Sequence, residues 1–173
     1  MTATTQSFRI HGPRGIVERA AEAITERARG KRIRTIADNV PVTEIMTRHV
    51  VCAFPDLPLE ALIDVLVRER LGCVPVVDER GHPLGMVTKF DIVEQLVLPS
   101  RAAPLVADIM MPLAITLADT ATVAHAAALM ASEDMHHVMI VSDRRLVGVV
   151  STLDVTRWLA DNDGIAGSGT HSY

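Results

Sequence analysis

Aromatic residues are scarce in this sequence, which has three Phe, one Trp and one Tyr among 173 residues. Hydrophobic residues still make up 49% of the chain, so its core must be built from aliphatic side chains and methionine. Charged residues make up 22%, a balance that is typical of a globular protein and excludes global disorder. Apolar runs are far shorter than the ~20 residues that a membrane-spanning helix needs. The first residues also lack the apolar segment of a secretory signal.

Cysteine is equally scarce, with only Cys52 and Cys73, each within an apolar string. A disulfide between them is one alternative, but nothing else in the sequence indicates secretion. We therefore expect two buried, reduced thiols in a cytoplasmic protein.

Excess positive charge is confined to the N-terminal part of a chain whose formal net charge is −4. Residues 1–40 contain eight Lys or Arg against four acidic residues, whereas the rest of the chain is acidic. An acidic body repels the phosphates of nucleic acids, so nucleic-acid binding is not expected. Residues 15–29 have high helix propensity and interleaved acids, which favours an ion-paired helix that packs onto the rest of the protein or onto a second copy.

The chain contains an internal repeat, which decides its architecture. Three sequence blocks recur in the same order, with an offset of 64 residues for the first two and 63 for the third. The blocks are residues 42–46 with 106–110, 72–77 with 136–141, and 85–92 with 148–155. The one-residue slip falls in a turn that contains Gly81 and Pro83, where a change of length costs little.

Each repeat has the same predicted order of elements, β-α-β-β-α. Asp56 with Pro58, and Thr120 with Thr122, indicate helix starts before apolar residues at helical spacing. The predicted strands are 50–53, 73–77 and 84–87 in repeat 1 and 114–117, 138–141 and 146–150 in repeat 2, and the closing helices are 91–98 and 154–160. Neither sheet is large enough to be buried alone. We therefore predict an α/β (α+β) fold whose two sheets pack face to face with pseudo-twofold symmetry.

The predicted domain organisation follows from the repeat and from the composition of its flanks. It comprises an N-terminal arm and helix at 1–40, repeat 1 at 42–98, a linker at 99–104, repeat 2 at 105–160 and a flexible tail at 162–173. Pro99 and Pro104 lie at the two ends of the linker, and small polar residues dominate the tail.

Three motifs mark the repeats. They are the Ile-Met pairs that open the repeats, the string Val-Pro-Val-Val-Asp at 74–78, and Gly-x-Val-Thr/Ser-x-x-Asp, which ends at Asp91 and at Asp154. With them the sequence resembles tandem cystathionine β-synthase (CBS) domains, the pair called a Bateman module. The resemblance covers residues 42–160, although Met139 and Ser142 depart from the pattern. No motif of a fused channel, dehydrogenase or kinase domain accompanies them, so the chain resembles a stand-alone module.

The pairs Thr88–Asp91 and Ser151–Asp154 each lie where a strand passes into a helix. One interpretation is structural, because a hydroxyl followed three residues later by an acid caps a helix N-terminus. The other is ligand binding, since Asp suits the two hydroxyls of a ribose and a helix N-terminus suits a phosphate. The residues leave both open. The resemblance favours the second, because the family uses these positions for the phosphate side and the ribose of adenosine ligands.

The resemblance also implies two clefts between the repeats, each with an adenine wall supplied by the opposite repeat. The expected partners of Ser151 and Asp154 are Leu71, Gly72 and Cys73, and those of Thr88 and Asp91 are Met135, His136 and His137. Both hydroxyl–carboxylate pairs are intact, so either cleft is a candidate site.

Lys89, His136 and His137 are the candidates for phosphate contacts. Lys89 stands in Thr-Lys-Phe-Asp, which resembles a string in the γ subunit of AMP-activated protein kinase where the lysine meets phosphate. An exposed lysine in the first turn of a helix is the alternative. His136 and His137 are adjacent on a strand and point to opposite faces, and no third ligand has metal-site spacing, so no metal is predicted.

The sequence contains no nucleophile-and-base motif and no phosphate-binding glycine loop, so we predict no enzymatic activity. We predict a regulatory, energy-sensing module that requires no cofactor and binds AMP, ADP, ATP or S-adenosylmethionine between its repeats. Binding would change the arrangement of a homodimer, and a separate effector protein would read that change. The alternative is a ligand-free structural scaffold with vestigial pockets.

Overall fold

A computed structural model of the chain describes residues 35–98 and 102–162. The predicted arm and helix before residue 35, residues 99–101 of the predicted linker and the predicted tail after residue 162 lie outside the described residues. In the described part of the chain, no helix is both long and apolar enough to cross a membrane.

Both repeats contain helices and strands in the predicted order, apart from the first strand of repeat 1. A 3-10 turn, Ile36–Asp38, precedes repeat 1. Repeat 1 has a second 3-10 turn, Val42–Glu44, followed by α1 (Leu59–Arg68), β1 (Cys73–Val77), β2 (Pro83–Thr88) and α2 (Lys89–Val97). Repeat 2 has α3 (Val106–Ile109), β3 (Thr116–Ala118), α4 (Val123–Ser132), β4 (His137–Ser142), β5 (Arg145–Ser151) and α5 (Thr152–Asn162). This mixed architecture confirms the predicted fold class.

Helix α1 forms because its apolar residues recur on one face. Leu59, Leu62 and Leu66 are buried and share a hydrophobic cluster with Val74 of β1 and Val87 of β2. Burying one such leucine stabilises the fold by about 1.5–3 kcal/mol. The helix is therefore held against its own sheet mainly by three side chains.

Each repeat builds its sheet around one antiparallel hairpin, β1–β2 in repeat 1 and β4–β5 in repeat 2. Strand β3 adds to the second sheet parallel to β4. The predicted equivalent in repeat 1, residues 50–53, is reduced to a single parallel bridge between Ala53 and Val76, so that prediction is wrong in extent. An apolar string alone does not supply a pairing partner, and Val51 and Cys52 are exposed.

The two repeats exchange their leading segments. Thr47, at the start of repeat 1, bridges Val149 in β5, and Met111, at the start of repeat 2, bridges Met86 in β2. The Thr47 N–H donates to the Val149 carbonyl at 2.9 Å, and the Met111 N–H donates to the Met86 carbonyl at 3.1 Å. The two bridges join equivalent positions, because Thr47 corresponds to Met111 and Val149 corresponds to Met86 at the repeat offsets. A pseudo-twofold relationship therefore connects the repeats. Neither repeat completes its sheet alone.

The exchanged leading segments, here called the crossing segments, run so close to β2 and β5 that two positions on these strands have no room for a side chain. A Cβ atom at Gly85 would overlap the carbonyl oxygen of Met111. At Gly148 it would lie 2.5 Å from the Met46 Sδ and 3.1 Å from the Thr47 carbonyl oxygen. The glycines of the Gly-x-Val motif are therefore explained by close packing between the repeats.

A hydrophobic cluster joins the two sheets. Met86 of β2 packs with Met139 of β4 and Val149 of β5, and Cys73 lies against the same cluster. Because this cluster takes residues from both hairpins, the sheets face each other, as predicted.

The expectation of two buried thiols is wrong for Cys52. This residue is exposed, whereas Cys73 is half-buried, and both cysteines are free. Cys52 lies in the segment that forms only one bridge to the sheet, so no neighbouring strand covers it.

Candidate functional site

The two hydroxyl–carboxylate pairs form matching capping boxes at the N-termini of α2 and α5. The Ser151 Oγ and the Ser151 N–H both donate to Asp154 Oδ2, at 2.5 and 2.8 Å, and the Asp154 N–H donates to Ser151 Oγ at 3.2 Å. Thr88 makes the same three contacts with Asp91, at 2.6, 2.6 and 3.4 Å. Both motifs therefore cap helices, whatever else their carboxylates bind.

A cleft of about 190 Å³ opens beside the cap of helix α5. It brings Ser151 and Asp154 together with Leu71, Gly72 and Cys73, the residues expected opposite them. The other described residues that line it are Thr47, His49, Val50, Val51, His137 and Val149. The cleft is thus shared between the repeats, because its capping pair comes from repeat 2 and most of its wall comes from repeat 1.

The cleft has an apolar wall and a polar end. Val50, Val51 and Leu71 contribute to the wall, and the capped carboxylate of Asp154 lies at the polar end. The second carboxylate oxygen, Asp154 Oδ1, lies 3.9 Å from the exposed guanidinium of Arg157. None of the described residues that line the cleft is Lys or Arg.

Sequence reasoning missed the residues that reach the cleft on the exchanged segment, chiefly Thr47 and His49. The available signal was the Ile-Met-Thr string that opens repeat 1. That string reaches the cleft only because Thr47 pairs with Val149, and no local pattern predicts such a long-range pairing.

His137 lies in this cleft, whereas the resemblance placed it opposite Thr88 and Asp91. It begins β4 directly opposite Ser151, and its ring lies against Gly72, where a Cβ atom would be 3.4 Å from the imidazole Nε2. Burial lowers the pKa of His137 below 6.5 and the neighbouring His136 lowers it further, while the Asp154 carboxylate raises it. The neutral imidazole is therefore favoured near neutral pH, with one ring nitrogen as donor and the other as acceptor.

Cys73 behaves as a small apolar group in the cleft. Burial raises the pKa of its thiol to about 12, and the partial burial of the more exposed Cys52 thiol also raises the pKa of that group. The thiolate is the nucleophilic form, so a thiol that stays protonated reacts slowly.

The other predicted site residues lie elsewhere. Thr88 and Asp91 cap α2, and Lys89 is the exposed first residue of that helix. Met135 and His136 line a separate groove of about 330 Å³ between α4 and α5, and this groove contains neither Thr88 nor Asp91. Within residues 35–98 and 102–162, no group of three or more His, Cys, Asp or Glu side chains is placed to hold a metal ion.

Two pseudo-symmetric repeats that exchange their leading segments and share a cleft define a paired-repeat α/β module. The family model for the CBS domain matches residues 42–98 and 106–161, which is more than half of the chain. The chain therefore belongs to the CBS domain family, as its motifs predicted.

The chain is similar to parts of longer curated proteins. An uncharacterized protein of Methanocaldococcus jannaschii is 30% identical over 140 residues, which are 73% of this chain and 33% of that protein. The L-aspartate semialdehyde sulfurtransferase of the same organism is 27% identical over 117 residues, which are 67% of this chain and 22% of the enzyme. The chain thus spans a third or less of the length of these relatives.

Solved structures of CBS domain pairs share the fold. The CBS domain pair of protein MJ0100, in complex with 5′-methylthioadenosine and S-adenosyl-L-methionine, is 26% identical, with a TM-score of 0.65. The match covers 69% of this chain and 99% of that one. CBSX2 in complex with AMP is 20% identical, with a TM-score of 0.64, and the match covers 72% of this chain and 98% of that one.

Proposed function

We propose that this chain is a non-catalytic regulatory module that binds an adenosine-containing ligand in the cleft beside the cap of α5. It acts as a homodimer, and a separate effector protein recognises the arrangement of its two copies. The observation that carries the proposal is the cleft itself, where the Ser151–Asp154 pair of one repeat faces the wall around Leu71 of the other. The similarity to the CBS pair of MJ0100, whose structure contains two adenosine compounds, supports it.

The chemistry of the cleft suits a nucleoside. A purine can lie against the apolar wall of Val50, Val51 and Leu71, and Asp154 Oδ1 can accept hydrogen bonds from ribose hydroxyls while Oδ2 keeps the cap. Pockets for drug-sized ligands typically measure ~300–1,000 Å³. A cleft of about 190 Å³ therefore encloses only part of such a ligand, and the lining residues favour the base and ribose as that part.

The charges around the cleft favour adenosine compounds without phosphate. No described lining residue is Lys or Arg, and the Thr152 N–H at the start of α5 already donates to the His136 carbonyl at 2.9 Å. A phosphate bound in this cleft would therefore have few positive groups or free N–H donors to balance its charge. We place S-adenosylmethionine and uncharged adenosine compounds ahead of AMP, ADP and ATP at this cleft. Lys89 places a cation beside the other cap, where a phosphate is better matched.

Ligand binding would couple the repeats. A ligand in the cleft contacts residues of repeat 1 and repeat 2 at once, so it stabilises one relative placement of the two. Ordering of this kind can shift the arrangement of a dimer without any chemical step.

The first test is thermal unfolding of nucleotide-free protein with adenosine, methylthioadenosine, S-adenosylmethionine, AMP, ADP, ATP and GTP. A ligand at 100 times its Kd stabilises the folded state by about 2.7 kcal/mol, which raises the Tm by a few degrees at this size. We expect Asp154→Ala to abolish the shift. Asp91→Ala is the matched control, because it removes the same capping box from repeat 1 and should cost similar stability, about 1 kcal/mol, while leaving intact the shift that the compounds without phosphate produce.

A ligand-free scaffold is the second candidate function, and the caps favour it because each Asp already has a structural partner. If no compound stabilises the wild type, the scaffold replaces the sensor. If the shift that a compound without phosphate produces is lost in Asp91→Ala and kept in Asp154→Ala, the ligand site lies at the other cap and our assignment of the cleft is wrong.

A further inference from the structure

A half-buried imidazole, that of His137, lines the cleft beside the cap of α5. The residue starts β4 directly opposite Ser151 of the capping pair. Its ring lies against Gly72 on the wall from repeat 1, where a Cβ atom would be 3.4 Å from the imidazole Nε2. A ligand that is held by the wall and by the capping pair therefore lies beside this ring.

Three other titratable side chains are among the described residues that line the cleft. Asp154 supplies a carboxylate, His49 supplies an exposed imidazole on the crossing segment of repeat 1, and Cys73 supplies a thiol. Burial raises the pKa of the Cys73 thiol to about 12, so this group stays uncharged. Because no described lining residue is Lys or Arg, the charge of the cleft depends on Asp154 and on the two imidazoles.

The charged and titratable groups on the neighbouring elements are exposed. His136 is the adjacent residue in the sequence, Arg70 immediately precedes the wall, and Arg157 follows in the first turns of α5. Lys89 begins α2, and its N–H donates to the Gly72 carbonyl at 3.2 Å. Water screens exposed charges, so these four groups act on the cleft more weakly than a charge inside it.

We propose that His137 sets the charge preference of the cleft, an inference that rests on the proposed function. While the imidazole is neutral, the Asp154 carboxylate favours an adenosine compound with a positive charge, such as the sulfonium group of S-adenosylmethionine. When the imidazole is protonated, it offsets the carboxylate. The preference for the cation over a neutral compound such as methylthioadenosine then falls. His137 is thus a specificity-determining residue whose effect depends on pH.

The pH range of this effect follows from the surroundings of the ring. Burial lowers the pKa of His137 below 6.5 and His136 lowers it further, while the Asp154 carboxylate raises it. The neutral form therefore predominates at pH 7, and the ring is protonated as the pH falls below 6.5. A bound cation disfavours the protonated imidazole, so its binding releases a proton in this range. Because such coupling is reciprocal, protonation weakens the binding of the cation more than that of the neutral compound.

The test is isothermal titration calorimetry of the nucleotide-free, full-length protein with S-adenosylmethionine and methylthioadenosine at pH 7 and at pH 5. The two compounds share the adenosine group, and the sulfonium charge does not titrate. We expect the Kd of methylthioadenosine divided by that of S-adenosylmethionine to fall several-fold from pH 7 to pH 5. In His137→Gln the ratio should stay nearly constant, because the amide has a donor and an acceptor but no charge. The matched control His49→Gln removes an exposed imidazole from the same cleft and should keep the wild-type change.

A second measurement on the wild type keeps the proposal falsifiable if His137→Gln does not fold. Titrations at pH 6 in two buffers of different ionisation enthalpy count the protons released on binding, and S-adenosylmethionine should release more than methylthioadenosine. Equal release, a constant Kd ratio in the wild type, a full change in His137→Gln or a lost change in His49→Gln would each overturn the inference and leave the proposed function intact. Absence of binding by both compounds, or binding that persists in Asp154→Ala, would refute the proposed site and the inference with it.

Discussion

Asp154 has one carboxylate oxygen in the cap of α5 and lies in the cleft at the same time. Its sequence motif is shared with every Ser-x-x-Asp capping box, so spacing alone could not separate a cap from a ligand contact. What sets Asp154 apart among the capping residues is the cleft beside it, whose wall includes Leu71, Gly72 and Cys73 of repeat 1. The function of such a residue is decided by its long-range neighbours.

His137 should make the stability of the protein depend on pH. Its folded-state pKa is lowered, first by burial, so between that value and 6.5 the unfolded chain binds more protons than the folded one. The contribution of the neutral His137 imidazole to the free energy of unfolding is therefore complete above pH 6.5. It decreases as the pH falls below 6.5 toward the folded-state pKa. In His137→Gln the same decline should be smaller. Urea unfolding from pH 7.5 down to pH 5 measures both curves.

The matched control for this prediction is His49→Gln, which removes an exposed imidazole from the same cleft. It accounts for any general effect of losing a histidine. Parallel curves for wild type and His137→Gln would show that the folded protein does not hold this imidazole neutral.

Among the elements, the contact between each crossing segment and its strand is the one most sensitive to substitution. Gly85→Ala should destabilise the protein by about 1–3 kcal/mol, because its Cβ meets the backbone carbonyl of Met111, which cannot move alone. Gly148→Ala should cost less, because the closest atom is the Sδ of Met46, the far end of a flexible side chain. Equilibrium urea unfolding ranks the two variants. A larger loss in Gly148→Ala would contradict this account of the crossing.

Helix and hairpin positions could be predicted from the sequence because their signals are local. The spacing of Leu59, Leu62 and Leu66 indicates α1, and the predicted strand at 73–77 has the bounds that the structure shows. The resemblance, more than the residues themselves, anticipated that Ser151 and Asp154 would face Leu71. The predicted strand at 50–53 and the burial of Cys52 were wrong because an apolar string does not reveal whether a neighbouring strand will cover it.

For the whole molecule, exchange of the leading segments means that the two repeats should unfold together. The described residues fall in one compact unit, and each sheet is completed by the other repeat. Amide N–H groups also bond across the repeats at the helix starts, from Val42 to the Ala121 carbonyl at 2.8 Å and from Val106 to the Leu57 carbonyl at 2.9 Å. Losing one repeat would leave these groups and the Met86–Met139 contact without partners.

This coupling can be tested with Trp158, the single tryptophan, which lies in α5 and reports on repeat 2. Leu62→Ala empties a fully buried site in repeat 1 and should cost about 2–5 kcal/mol. If unfolding is cooperative, the fluorescence midpoint of Trp158 falls by the same amount as the far-UV circular dichroism midpoint, which reports on both repeats. The control Phe54→Ala, at an exposed site, should move neither midpoint. A Trp158 midpoint that stays at its wild-type value while the dichroism midpoint falls would mean that repeat 2 folds independently, and the exchanged segments would then contribute little to stability.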